Sequence, residues 1–348
     1  MQRITIFLLS GLCVLSLVHC SQNSTDTKSP SHIEKHPQTM AKLPVILDTD
    51  ANNELDDQHA IAYLLFNGDV FDVEGITVNR TYNGGTIDEQ LMEAKRVMEL
   101  CQALESIPLK KGADKAFDEI EPHLSTPDFD GAEAVDFIIR QAEKERDQPL
   151  ILLPIGKLTN IALALKKAPH IAENVRVVWL GSNYPEPGEY NQNNDTAAMS
   201  FLLQTDVPFE IVTVRYGKPS GTDAVRATPD EIQRLMTGKG PKISPPVTGR
   251  HGKEVSCFGD YSINLFEHID LHGDPPSRAL FDMAAVAIVK NPLWASARKI
   301  PAPRLSDNTW IDQPTNRRMI LLWEDFDRDK IMEDFYDRMD NFVMIGSD

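Results

Sequence analysis

From Leu43 onward, short apolar runs alternate with longer segments of helical period, and this alternation constrains the chain more than any other feature. It is the pattern of a parallel sheet flanked by helices. The runs Val45–Leu47, Val73–Val78, Leu150–Leu153, Val175–Leu180, Phe209–Val214 and Met319–Trp323 are predicted strands. Helical period predicts helices over Asp57–Phe66, Ile87–Leu104, Ala132–Lys144, Thr159–Lys166, Thr196–Gln204, Pro229–Met236, Arg278–Val289 and Arg328–Met339. Thr228-Pro229-Asp230-Glu231 marks one helix start, with Thr228 as N-cap and Pro229 at the first helical position. The predicted fold class is α/β, an open and mostly parallel sheet flanked by helices. No repeat and no shift of composition breaks the chain after Leu43, so residues 43–348 are predicted to form one domain, and a 41% apolar fraction suits a full core. Gly238 to Gly252, with Pro241, Pro245 and Pro246, is a predicted loop, either a functional lid or a mobile insertion.

The N-terminus has a different logic. Arg3 precedes an apolar run from Ile4 to Val18 that is short for a membrane span and reads as a signal-peptide core. It ends Leu17-Val18-His19-Cys20 and is followed by the polar stretch Ser21 to Thr39, which resembles a bacterial lipoprotein signal with a lipidated Cys20. His19 stands where a small residue is usual, so ordinary cleavage and an uncleaved anchor stay open. The expectation is a signal over residues 1–20, a flexible tether over 21–42, and an exported lipoprotein, periplasmic or at the outer membrane of a bacterium. Cys101 and Cys257 remain in the mature chain and make no disulfide framework; Cys101, within a helical pattern, is expected to be a small core residue. A net charge of −17 argues against sequence-independent binding to nucleic acid, whereas acidic residues can gather a hard cation.

The chemistry concentrates at Val45-Ile46-Leu47-Asp48-Thr49-Asp50, where a strand ends in two aspartates, and at Asp56-Asp57, which open the next helix. Four carboxylates at the carboxyl edge of a parallel sheet stand where such folds bind ligands, and they repel one another unless a cation sits among them. One helix cap would explain one aspartate and leave three. Oxygen donors favour Ca²⁺ or Mg²⁺, and no Cys or His spacing suggests zinc.

At these residues the sequence resembles the calcium-dependent, inosine–uridine-preferring nucleoside hydrolases, in which a strand ends in Asp-x-Asp and an Asp-Asp pair opens the next helix. The loop Ala51 to Leu55 is two residues longer than usual, as in a divergent branch. The resemblance continues through Glu74-Gly75-Ile76-Thr77-Val78 and Ile107-Pro108-Leu109-Lys110-Lys111-Gly112-Ala113, like the family's second and third strands, and through Pro154-Ile155-Gly156-Lys157-Leu158-Thr159-Asn160. Gly188-Glu189-Tyr190-Asn191 with Asp195 is similar to the sugar-binding segment, and Ala279-Leu280-Phe281-Asp282 to the last metal-binding piece.

The resemblance implies a hydrolase that splits the N-glycosidic bond of a ribonucleoside with a metal-activated water. It implies Ca²⁺, with Mg²⁺ as second choice, held by Asp50, Asp57, Asp282 and the main-chain carbonyl of Ile155, and Asp50 as general base. Asp56, Asn183, Glu189 and Asn191 would bind the sugar, with Asn83 a weaker candidate, and Phe281 would stack on the base. Many members carry His immediately before the last Asp, to protonate the leaving base; Phe281 departs from that pattern. His251 and His272 are alternative acids chosen by position alone, and Trp179 is either a stacking residue or core. Two other readings stay open: a haloacid dehalogenase-type phosphatase, which leaves Glu189, Asn191 and the Leu158-Thr159-Asn160 match without a role, and a non-catalytic calcium- and sugar-binding surface protein. The substrate could also be a glycoside other than a nucleoside. Base preference and oligomeric state stay open.

Overall fold

The computed structural model describes residues 41–346. The expected signal, Cys20 and the tether as far as residue 40 lie outside the described residues. The central sheet has eight strands: β1 (Leu43–Thr49), β2 (Phe71–Val78), β3 (Leu109–Lys111), β4 (Leu150–Pro154), β5 (Val175–Leu180), β6 (Phe209–Val212), β7 (Ser296–Pro301) and β8 (Met319–Glu324). Their spatial order is β7-β8-β6-β5-β4-β1-β2-β3, and every pairing is parallel except β7 on β8.

Both faces are covered, which is why the strands read as continuous apolar runs. Successive side chains of β1 point to opposite faces: Val45 and Leu47 enter one core while Ile46 enters the other. The first core is closed by α1 (Asp56–Leu65), α2 (Ile87–Leu100), α8 (Phe258–Phe266), α9 (Phe281–Lys290) and α10 (Arg328–Asp340). The second lies under α3 (Ala132–Ala142), α4 (Thr159–Lys167) and α6 (Thr196–Gln204). Two further helices are α5 (Tyr190–Asn194) and α7 (Pro229–Met236), the latter capped by Thr228 in a reciprocal box with Glu231.

From β1 the chain builds outward through β2 and β3, then returns to the other side of β1 to lay down β4, β5 and β6. The order therefore reverses between β1 and β4. A crevice opens there at the carboxyl ends of the strands, because the flanking connections leave in opposite directions.

Several boundaries differ from expectation. Arg278 and Ala279 are extended and pair antiparallel with Arg226 and Ala227, so the helix predicted from Arg278 begins at Phe281. The strand predicted to Val214 stops at Val212, and the helix predicted to Leu104 stops at Leu100. The Pro-rich segment is irregular as expected, but Val247–Thr248 pair back on Glu254–Val255. Helices α5 and α8 and strand β7 were not expected.

Candidate active site

Asp48 at the end of β1 is spent on architecture. Its carboxylate accepts from Thr77 Oγ1 at 2.5 Å, Asn160 Nδ2 at 2.7 Å and Asn79 Nδ2 at 2.9 Å. These bonds tie β1 to the ends of β2 and to α4. Burial pushes its pKa up to about 6 against the pull of those donors. Asn160 also accepts from Ala113 N at 2.9 Å, so one amide fastens three segments.

Asp50, two residues on, emerges at the crevice. Its Oδ2 accepts from Thr81 Oγ1 at 2.6 Å. Its Oδ1 lies so near Gly156, in the turn after β4, that a Cβ there would sit 2.5 Å away. Asp56 and Asp57 occupy the first turn of α1, and Asp282 the first turn of α9, where the positive ends of two packed helices favour carboxylates. Thr49 Oγ1 donates to Asp57 Oδ1 at 2.5 Å.

Carboxylate oxygens of Asp56, Asp57 and Asp282 lie within 4.8 Å of one another, and all three residues are buried. Burial, then repulsion from neighbouring carboxylates, raises the whole group: Asp50, beside Asp48 and Glu189, and Asp56 to about 7, Asp57 and Asp282 well above the ordinary carboxylate range. No Lys or Arg among the described residues forms an ion pair with these four. A buried excess of negative charge surrounded by oxygen atoms fits a hard divalent cation, and a cation would remove the repulsion that raises these groups.

The carboxylates form one wall of a cavity of about 760 Å³ at the switch point. Ile155, Glu189, Asn191, Tyr216 and Phe281 also line it. Glu189 is buried and caps α5, accepting from the backbone N–H groups of Ser182, Asn191 and Gln192 at 2.8–3.0 Å. Asn191 Nδ2 donates to the carbonyl of Ile155 at 2.8 Å and that of Leu180 at 3.2 Å, which leaves Oδ1 as its acceptor for the cavity. Phe281 meets Tyr216 edge-on at 5.8 Å, forming an aromatic wall.

Of the residues singled out from the sequence, the fold therefore gathers Asp50, Asp56, Asp57, Ile155, Glu189, Asn191, Phe281 and Asp282 around one cavity. Asp56 stands inside the acidic cluster as well as on the wall. Asn183 is not among the residues lining this cavity: it braces its loop, donating to Gly188 O at 3.3 Å and accepting from Tyr216 N at 3.2 Å, and lines a neighbouring cavity. Asn83 is exposed, its backbone N–H meets the Tyr190 hydroxyl at 3.1 Å, and it is not among the residues lining the cavity. His251 stacks on His268 at 4.3 Å outside the cavity lining, whereas His272 lies exposed at its rim. Trp179 is core: fully buried, it donates Nε1 to Gly156 O at 2.9 Å. Sequence reasoning missed Glu54, Tyr216, Arg226 and Arg278, which also line the cavity; Arg278 sits only three residues before Phe281.

An acid-lined cavity at the switch point of a parallel α/β sheet, with donors for a hard cation, defines a metal-dependent enzyme acting on a small molecule. Residues 45–327 match the family model for inosine-uridine preferring nucleoside hydrolase. The chain belongs to that family, whose members depend on a metal, and it is a hydrolase of the N-glycosyl bond of ribonucleosides. It is 26% identical over 278 residues to a pyrimidine-specific ribonucleoside hydrolase of Escherichia coli (strain SE11), covering 73% of this chain and 80% of that one. Its fold is similar to that of a plant nucleoside hydrolase, with a TM-score of 0.64 and 17% identity over 86% of this chain and 99% of the other. It is also similar to a purine-preferring ribonucleoside hydrolase from Gardnerella vaginalis, with a TM-score of 0.59 and 20% identity over 85% and 98%.

Proposed function

We propose that the chain splits ribonucleosides into base and ribose at this cavity, with Ca²⁺ as its resident cation and Asp50 as general base. The observation that carries the reading is the convergence of Asp50, Asp56, Asp57 and Asp282, buried and with no ion pair among the described residues, on one cavity wall. Asp50, Asp57, Asp282 and the Ile155 carbonyl would hold the ion. A set of several carboxylates plus a carbonyl suits the high, flexible oxygen coordination of Ca²⁺ better than the strict octahedron of Mg²⁺. When bound, the cation polarises the attacking water and neutralises the cluster.

The remaining work belongs to side chains. Asp50 accepts the proton that the water loses as its oxygen bonds to C1′, and Thr81 fixes which carboxylate oxygen faces inward. Asp56, Glu189 and the Oδ1 of Asn191 orient the sugar hydroxyls. Asn191 Nδ2 meanwhile holds the Ile155 carbonyl in place, so one residue couples the sugar wall to the ion site. Phe281 and Tyr216 offer an apolar face to the base and exclude water from it.

Asp50→Asn tests this directly, because it preserves shape and removes the proton acceptor. At saturating Ca²⁺ turnover should fall about 10²–10⁴-fold, while Asp48→Asn, whose parent carboxylate already accepts from three donors, should lose stability instead. Activity of Asp50→Asn within tenfold of the parent refutes the role. A chelator should abolish turnover, and Ca²⁺ should restore it better than Mg²⁺.

We also propose export and lipidation at Cys20, supported by the sequence of residues 1–40. Labelled palmitate should enter the parent and not Cys20→Ser; equal labelling refutes it.

A further inference from the structure

With Phe281 immediately before Asp282, no proton donor stands at that position, and the departing base needs its charge met from elsewhere. We propose that Arg278 does this: its guanidinium donates hydrogen bonds to the leaving base and stabilises the negative charge that develops there. The inference rests on the nucleoside hydrolase reading above and names the leaving-group residue of the same site.

Four side chains lining the cavity could carry positive charge: Lys218, Arg226, His272 and Arg278. Lys218 and His272 are exposed, so water screens them. Arg226 is engaged on all sides, donating to Ser277 Oγ at 2.9 Å, Asp223 Oδ1 at 3.0 Å and the Ser277 carbonyl at 3.1 Å. Arg278 alone is buried, 9% exposed, with donors to spare. Its NH2 pairs with Glu54, and its Nε, closed to solvent, has no hydrogen-bond partner, so the donors that can serve the cavity are those of the terminal nitrogens.

The surroundings fix Arg278 firmly. Its backbone pairs with Ala227, and Leu280 N donates to Val225 O at 2.8 Å, which anchors the segment between Arg278 and Phe281. Its partner Glu54 belongs to the loop between β1 and α1. That loop is held by Arg250 NH1 on the Glu54 carbonyl at 2.7 Å, and by Gln90 Oε1 on Asn52 N at 2.6 Å. The loop thus brings a carboxylate against Arg278 and keeps its planar fork oriented, a pre-organised donor in the cavity lining.

The step balances without any further reactant. The C1′–N bond breaks and its electron pair goes to the base nitrogen. Water oxygen bonds to C1′ and its proton goes to Asp50. The base leaves as an anion hydrogen-bonded to Arg278, which stays protonated throughout, and takes its proton from solvent on release; Asp50 returns its own to solvent.

Leaving-group dependence separates this role from a structural one. Arg278→Ala and Arg278→Lys would be assayed with uridine and inosine, and with 4-nitrophenyl β-D-ribofuranoside, whose phenolate departs without help. Thermal melting and Ca²⁺ binding would be followed alongside. Arg278→Ala should lose about 10²-fold in kcat on the nucleosides and less than about fivefold on the nitrophenyl riboside. Arg278→Lys, which keeps charge without the fork, should fall between parent and Arg278→Ala on the nucleosides and remains informative if the alanine variant does not fold. Equal losses on both substrate classes, or no loss on the nucleosides, would overturn the assignment while a parent active on both leaves the hydrolase reading intact. A parent that cleaves neither class overturns both.

Discussion

Gly156→Ala is the smallest change that should disable this site, because the chain leaves no room for one methyl group. The turn after β4 is clamped on two sides: Ile155 N donates to Asp48 O at 2.8 Å, and Trp179 Nε1 donates to Gly156 O at 2.9 Å. A Cβ on Gly156 would lie 2.5 Å from Asp50 Oδ1 and 3.0 Å from Asn79 Nδ2, where ordinary contact begins at 3.4 Å. The shortfall against Asp50 is 3.4 − 2.5 = 0.9 Å. Neither neighbour yields freely, since Asp50 is pinned by Thr81 and Asn79 is bonded to Asp48. The carboxylate must shift by nearly an ångström, and a misplacement of about 1 Å at a reacting group costs roughly 10²-fold in rate. Overpacking costs about 1–3 kcal/mol, and the smaller unfolded-state entropy of Ala returns about 0.4–1, so a net destabilisation of about 1–2 kcal/mol follows. Steady-state kinetics on uridine with a Ca²⁺ titration, together with urea unfolding, measure both. A kcat/KM within threefold of the parent and an unchanged unfolding midpoint would refute the packing argument.

Two further perturbations test the scaffold around the site. Asn160→Ala removes donors to Asp48 and Val78 O and the acceptor for Ala113 N, leaving buried polar atoms unmet; a loss of about 2–4 kcal/mol should appear in urea unfolding, and a loss under 1 would show that water replaces the amide. Glu324, at the end of β8, is held below its ordinary pKa first by Arg298, against burial, and by Arg215. A depressed carboxylate contributes stability above its unfolded pKa and loses it as pH falls through the folded value, so Glu324→Gln should melt below the parent at pH 7 and converge with it near pH 3; a gap that persists at low pH would mean the loss is packing, not charge.

What the sequence revealed, and what it hid, follows from how far each signal reaches along the chain. Parallel strands buried on both faces advertise themselves as apolar runs, and amphipathic helices such as α7 by their period, so the sheet and most helices were readable locally. Helix α8 was not, because all of its residues except Asp260 are buried and it has no polar face to set a period. Gly259, which argues against a helix by propensity, is required there: a Cβ would collide with the carbonyl of Met236 on α7. Arg278 read as part of a helix for the converse reason, since a two-residue pairing with Arg226 and Ala227 is too short to leave a pattern.

The site divides in the same way. Asp48, Asp50, Asp56 and Asp57 lie within ten residues, so their joint charge showed in the sequence before any fold was known. Asn183 and Asn191 could not be separated by that route, because the sequence sets both amides on either side of one short Pro- and Gly-rich stretch. Only the fold shows that Asn191 reaches the Ile155 carbonyl while Asn183 turns back on Gly188 and Tyr216. The same limit hid the Glu54–Arg278 pair, which joins residues 224 positions apart. The part of the acidic cluster that follows β1 is therefore a local motif, whereas Asp282 and Ile155 reach the same cavity from distant segments. The proposed leaving-group pair of Glu54 and Arg278 is assembled wholly from distant segments, so no local pattern announces it, and only the folded chain brings it to the cavity that the acidic cluster lines.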